Sequence, residues 1–328
     1  MMMNHSLKNP FNVHPGTVIV GKWHRNHYTI VKELGFGANG IVYLARSGNQ
    51  QVALKMSENG ISITSEVNVL KSFAKVQGSA LGPSLLDVDD WPQRDGQISF
   101  YVMEYIQGPD LLTFIQQNGH VWTEVLMLQL LNDLHTLHQN GWVFGDLKPE
   151  NLIVTGPPAR IRCIDVGGTT IQGRAIKEFT EFFDRGYWGL GTRKADPSYD
   201  LFAVAMILIN IAYPKRFNKT SGDLKQLTSM IQEKKELKKY EGILLNALKG
   251  KFMSANDMRS SLLQCSQPQP DHSTVQPQKG PSKTRQSKGN VSRQSYAKRK
   301  KRGGIFETTI IFIIISLLYM FYIYGQLT

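Results

Sequence analysis

The stretch VFGDLKPENL, Val143 to Leu152, constrains the fold of this 328-residue chain more than any other. Asp146 is placed to accept or orient a hydroxyl proton, Lys148 to neutralise a transferring phosphoryl group, and Asn151 to hold a cation. Asp165 follows in IRCIDVGG, an apolar strand that ends in an aspartate and a glycine turn. Isolated, each of these is an ordinary turn residue. In this order they demand a fold in which neighbouring hairpin strands carry Asn151 and Asp165 to one place, where hard oxygen donors suit Mg²⁺.

A second constraint lies upstream. YTIVKELGFGANGIVYLARS, Tyr28 to Ser47, reads as two alternating apolar runs joined by a turn carrying Gly35, Gly37 and Gly40, with Val42 two residues on. A dinucleotide turn uses the same glycine spacing, but there a helix opens at the third glycine. Here Ala53-Leu54-Lys55 follows on a further strand instead. Glycine lets backbone N–H groups approach anionic oxygens, and Lys55 supplies a compact positive charge for them. Eleven residues later Glu66 sits in SITSEVNVLKSFAKV, which reads as a helix capped by Ser62 or Thr64, where a carboxylate can pair with Lys55.

After the strand ISFYVMEYI the pattern turns helical: LLTFIQQNG, then TEVLMLQLLNDLHTLHQNG ending at Gly141 as a C-cap, then DLFAVAMILINIAY, Asp200 to Tyr213, apolar nearly all round and therefore a core helix. QEKKELKKYEG reads as one more helix. A strand-rich lobe followed by a larger helical lobe is an α+β arrangement.

The net charge of +12 is concentrated at the far end, where Ser266 to Arg302 hold ten Lys/Arg against one acid, Asp271. That segment is rich in Ser, Gln, Pro and Lys and cannot bury enough surface to offset its chain entropy, which predicts a disordered linker. Beyond it, Ile305 to Tyr324 form an apolar run of about 20 residues, roughly a bilayer's hydrocarbon thickness as a helix. KRKKR precedes the run, and Tyr319, Tyr322 and Tyr324 crowd its end, so the sequence predicts a span with the bulk of the protein in the cytoplasm. The first residues lack the apolar core of a signal peptide. Cys163 and Cys265 give neither a disulfide framework nor a zinc site.

On the glycine turn, Lys55, Glu66, Asp146 to Asn151 and Asp165, the chain resembles the protein-kinase superfamily, and in particular bacterial Hanks-type Ser/Thr kinases. A single C-terminal span without an outer sensor domain resembles the membrane-anchored members of spore-forming bacteria. The resemblance implies a two-lobed kinase fold over residues 21–264, with an N-lobe to about 105 and a C-lobe from about 106. Around it lie an N-terminal extension (1–20), a basic linker (265–303), a transmembrane helix (304–324) and an outer tail (325–328). It further implies ATP with Mg²⁺ or Mn²⁺, protein substrates, and self-association for trans-autophosphorylation, with Thr169, Thr170 and Thr180 as candidate surface sites. By the same resemblance Glu104 and Ile106 read adenine through their backbone and Met103 is the gatekeeper; Asp110 meets the ribose, Val42, Ala53 and Ile153 sandwich the base, and Asp200 anchors the catalytic loop.

Departures from the family pattern carry expectations of their own. Phe144-Gly145 stands where the family has His-Arg, and Asp165-Val166-Gly167 where it has Asp-Phe-Gly. Phe144 and Val166 keep apolar side chains for packing, whereas Gly145 cannot bind a phosphorylated activation loop, so activity should depend less on such phosphorylation. The Ala-Pro-Glu motif is reduced to Gly189-Leu190-Gly191 at best, with Lys251 where its partner arginine is expected. Two rival readings stay open: a small-molecule kinase, against which Lys148 argues, and a pseudokinase scaffold, against which the complete set of polar residues argues. Lys279 to Arg302, basic residues interleaved with Ser, Thr, Gln and Asn, suit an anionic polymer, either DNA or anionic lipid.

Overall fold

The computed structural model describes residues 11, 13–37, 39–75, 81–94, 96–220 and 224–266. The expected linker beyond Ser266, the span, the outer tail and the basic stretch Lys279 to Arg302 lie outside them. Among the described residues no helix is long and apolar enough to cross a membrane.

Alternating strands build the first lobe. A six-stranded antiparallel sheet runs β1 (Val18–Val20), β2 (His27–Gly37), β3 (Gly40–Ser47), β4 (Gln50–Ser57), then β6 (Gly96–Glu104) and β5 (Leu85–Gln93) at the far edge. Helix α1 (Gly60–Lys75) lies against β4, β5 and β6. Its N-cap is neither Ser62 nor Thr64: the Asn59 side-chain oxygen accepts from the N–H groups of Ile61 and Ser62, at 3.1 and 3.3 Å. Ser62 donates instead to Glu66, and Thr64 to the Gly60 carbonyl.

A buried polar knot ties β1 and β2 to β5. Asp87 accepts from Tyr28 (2.6 Å) and Asn26 (2.9 Å) and meets His24 Nδ1 at 2.6 Å, while Asp89 accepts from the N–H groups of Trp23 and His24. His24, Asp87 and Asp89 converge closely enough to suggest a cation site. Protein donors already occupy both carboxylates, so the cluster is a structural clasp.

The second lobe packs helices around one buried axis. Helices α2 (Leu111–Asn118) and α3 (Val121–Gln139) lead to a short strand β7 (Trp142–Val143), which pairs with β10 (Thr170–Ile171); between them runs the hairpin β8 (Leu152–Thr155) and β9 (Arg160–Cys163). The α3 pattern stops at Gln139, two residues short of Gly141, whose φ of +80° turns the chain out of the helix. Helix α4 (Pro197–Ala212) is the axis, with every residue from Tyr199 to Ile211 buried. Helices α5 (Leu224–Glu233), α6 (Lys235–Lys238), α7 (Glu241–Leu248) and α8 (Ala255–Ser266) follow; α6, α7 and α8 pack on it, and α5 packs on α6 and α7. The single helix expected over QEKKELKKYEG is broken at Lys234, whose ψ of 120° is extended, because Leu237 must turn inward to be buried.

Candidate active site

The two strands of the glycine turn and the hairpin of the helical lobe face each other across a cavity of about 1090 Å³. Every nucleotide, catalytic and metal residue expected from sequence lines it except Asp110: Gly35, Gly37, Gly40, Val42, Ala53, Lys55, Glu66, Met103, Glu104, Ile106, Asp146, Lys148, Asn151, Ile153 and Asp165. Asp110 instead caps α2, its carboxylate accepting from Thr113 N–H at 3.0 Å and from the Thr113 hydroxyl at 2.7 Å.

The glycines divide into two kinds. A Cβ at Gly35 or Gly37 would meet nothing within 4 Å, so these positions leave the backbone open to the cavity. Gly40 is needed for another reason: its φ is +126°, and a Cβ there would lie 2.1 Å from the Met56 carbonyl.

Lys55, on β4, donates to Glu66 of α1 at 2.6 Å, and both side chains are buried. Tyr101, opposite Lys55 in the β4–β6 register, donates to the same Glu66 oxygen at 2.7 Å. Burial, reinforced by the Glu66 charge, holds the Tyr101 hydroxyl well above its usual range, so it stays a donor. Sequence reasoning missed Tyr101, because only the strand register brings it to the pair.

Below the cavity the loop after β7 is fixed from beneath. Asp200, fully buried in α4, accepts from the N–H groups of Phe144 (2.8 Å) and Gly145 (2.9 Å) and meets His138 Nε2 at 2.8 Å. Phe144 and Val166 both join the main core, as the apolar replacements imply. Gly145 has a positive φ of +86°, and a Cβ on it would stand 2.7 Å from the Gly168 carbonyl. The glycine therefore answers a backbone requirement as well as removing a charge.

Asp146 pairs with Lys148 and accepts from the Thr180 hydroxyl at 3.0 Å; Lys148 also reaches Thr180, at 3.2 Å. Asn151 donates its amide to the Asp146 carbonyl at 3.3 Å, which fixes that end of the side chain and leaves its oxygen available. Asp165 accepts from Gly167 N–H through one oxygen at 2.9 Å. Together the two side chains offer the hard oxygen donors that Mg²⁺ takes.

Two expectations change in the segment after Asp165. Thr169 and Thr170 are buried, not surface threonines, with 0% and 1% exposure. Lys251, in the later helical region, stands where the family's arginine does; it is exposed and enters no ion pair among the described residues. The salt bridges that secure the segment after Asp165 are Arg185 with Asp196 (2.7 Å) and Arg193 with the buried Asp184 (2.7 Å). Glu178, also missed, lines the cavity and accepts from Asn39 at the tip of the glycine turn. Burial, then the nearby Asp165 charge, pushes its carboxyl above the ordinary range.

Comparisons agree with this geometry. The family described as "Protein kinase domain" matches residues 28–270. The chain is 53% identical to serine/threonine-protein kinase YabT of Bacillus subtilis, over 98% of both chains. It is 24% identical to serine/threonine-protein kinase PrkC of the same organism, across 59% of this chain and 31% of that one. Among solved structures, a double mutant of the Mycobacterium tuberculosis PknI kinase domain superposes with a TM-score of 0.54 at 18% identity, covering 78% of this chain and 99% of that one, a likeness of fold.

Proposed function

Because the chain belongs to the protein-kinase family and is a serine/threonine-protein kinase, we propose that it moves the terminal phosphoryl group of ATP to protein hydroxyls with Asp146 as the proton acceptor, at a membrane. The observation that carries the catalytic reading is the joint placement of Lys55, Glu66, Asp146, Lys148, Asn151 and Asp165 around one cavity. Asn151 and Asp165 would hold the Mg²⁺, whose charge would offset that on the phosphate oxygens. Lys55, kept in place by Glu66, binds phosphate oxygens, and the open backbone at Gly35 and Gly37 lets N–H groups approach them. Val42, Ala53 and Ile153 supply the apolar walls for the base, with the backbone at Glu104 and Ile106 as the polar edge. Asp146 takes up the acceptor proton, in the position where it now receives the Thr180 hydroxyl, and Lys148 steadies both.

Membrane attachment rests on the apolar run Ile305 to Tyr324 behind KRKKR, which sets the kinase domain on the cytoplasmic side. Lys279 to Arg302 then form a basic tail that binds DNA without sequence preference and modulates the kinase. Self-association brings about trans-autophosphorylation, for which Thr180 alone of the three candidate threonines is not buried.

The test is transfer of labelled phosphate from ATP to a generic protein substrate by the purified protein, beside Lys55→Ala and Asp146→Asn. Transfer by the unaltered protein and its loss in both variants is expected. A small alcohol that outcompetes protein, or nucleotide binding without turnover, rejects the reading. DNA retention and DNA-stimulated phosphorylation should both fall on truncation after Gln264, and equal behaviour of the two forms rejects the role of the tail.

A further inference from the structure

The protein substrates of a kinase are chosen by the surface around the acceptor seat, and here that surface carries an excess of positive charge. The seat is marked by Thr180, hydrogen-bonded to Asp146. Immediately before it the chain forms a two-stranded ribbon: Gly173 and Ile176 donate to the carbonyls of Ala195 and Arg193, Ala195 donates to that of Arg174, and Ala175 bridges Lys194. Arg174, Lys177, Arg193 and Lys194 project from this ribbon, and all four are exposed. Lys177 lines the cavity itself. Arg193 lies 3.9 Å over the ring of Phe179, which also lines the cavity, so one positive group covers an exposed aromatic beside the seat.

Acidic groups balance this charge only in part. Arg193 pairs with Asp184, but Arg174, Lys177 and Lys194 enter no ion pair among the described residues. Glu178 is turned toward Asn39 across the cavity. On the other side of the seat Glu150, which follows Lys148 on the same loop, is tied to Arg216, whose guanidinium also lies 4.7 Å over Phe183. The acid that would attract a basic substrate is thus already answered by the protein. Glu181 is the exposed acid left beside the ribbon.

We infer that the activation-segment ribbon, through Arg174 and Lys194 flanking Arg193 and Phe179, selects protein substrates whose acceptor serine or threonine lies among acidic residues. The inference rests on the protein-kinase reading and names the substrate class for the same site. An exposed ion pair contributes little alone, but several positive groups round one seat bias both encounter and orientation toward negative partners.

The experiment uses the full chain and its Arg174→Glu/Lys194→Glu variant. Three peptides contain one serine flanked by acidic, neutral or basic residues. The unaltered protein should show a kcat/KM about tenfold higher on the acidic than on the basic peptide, a ratio that shrinks as salt is raised to about 0.5 M. The variant should flatten or invert the ratio while keeping its rate on the neutral peptide, and Arg174→Gln/Lys194→Gln should fall between. Equal rates on acidic and basic peptides, or a ratio unchanged in the variants, would overturn the inference. A variant that loses DNA retention but keeps the ratio also overturns it, since the ribbon would then be a nucleic-acid surface. Turnover on the neutral peptide separates the two readings: with it, only the substrate preference is at stake; without turnover on any peptide, the kinase reading falls and this inference with it.

Discussion

Asn39, at the tip of the glycine turn, donates its side-chain amide to Glu178 of the segment after Asp165, so the two sides of the cavity are joined at the end that carries Lys55 and Asp165. The Glu178 carboxylate stands among Asp165, Lys55, Glu66 and Asp146. Incoming phosphates seek the same donors and bring the same sign of charge. Glu178→Gln keeps an acceptor for Asn39 and removes the charge, and should tighten metal-free nucleotide binding by about three- to tenfold. Titration with a fluorescent ATP analogue reads this directly, and unchanged or weaker binding would show that the contact does not oppose the nucleotide.

Lys55 and Glu66 form a buried pair, so removing one charge leaves the other uncompensated. Lys55→Met should lower phosphoryl transfer at least ~100-fold and lower stability by about 3 kcal/mol. The double variant Lys55→Met/Glu66→Gln should regain much of that stability without regaining turnover. Chemical denaturation beside a rate assay checks both, and additive stability losses would mean that the pair is not coupled.

Gly145 combines a φ of +86° with a close approach to the Gly168 carbonyl. Putting an arginine there, as the family pattern has, should therefore cost about 1–3 kcal/mol instead of restoring regulation by phosphorylation. A melting temperature equal to that of the unaltered protein would sink this expectation.

The clasp around Asp87 predicts an acid sensitivity. Burial works against its charge, but hydrogen bonds from Asn26, Tyr28 and His24 outweigh burial and hold the carboxyl below its ordinary 3.8. A folded-state value below the unfolded one gives stability that is present above about 3.8 and is lost as pH falls through the lowered value. Asp87→Asn should accordingly be destabilised by about 1–2 kcal/mol near neutrality, a gap that closes in strong acid. Denaturation midpoints across pH would count against the clasp if the gap stayed constant.

Much of the site was legible because its chemistry is local in sequence. Asp146, Lys148 and Asn151 lie within one loop, and the spacing of Gly35, Gly37 and Gly40 announces a tight strand turn. What escaped depends on distant contacts. Tyr101 reaches Glu66 only through the strand register, Glu178 reaches Asn39 only across the cavity, and Arg193 meets Asp184 only through the fold of the segment between them. Asp110 has a local use that the sequence also allows, since an aspartate at a helix start suits an N-cap. The burial of Thr170 follows from the pairing of β10 with β7, which a polar-looking sequence does not announce.

Asp200 accepts from two successive backbone N–H groups and meets a histidine, all from the first turn of a helix that is buried from Tyr199 to Ile211. The floor beneath the reacting groups is therefore riveted to a helix buried along most of its length. Opening of the cavity is expected at the roof, where β2 and β3 meet, and along the strip that carries Glu178. Hydrogen exchange should accordingly be slow at Phe144 and Gly145 and fast along the roof.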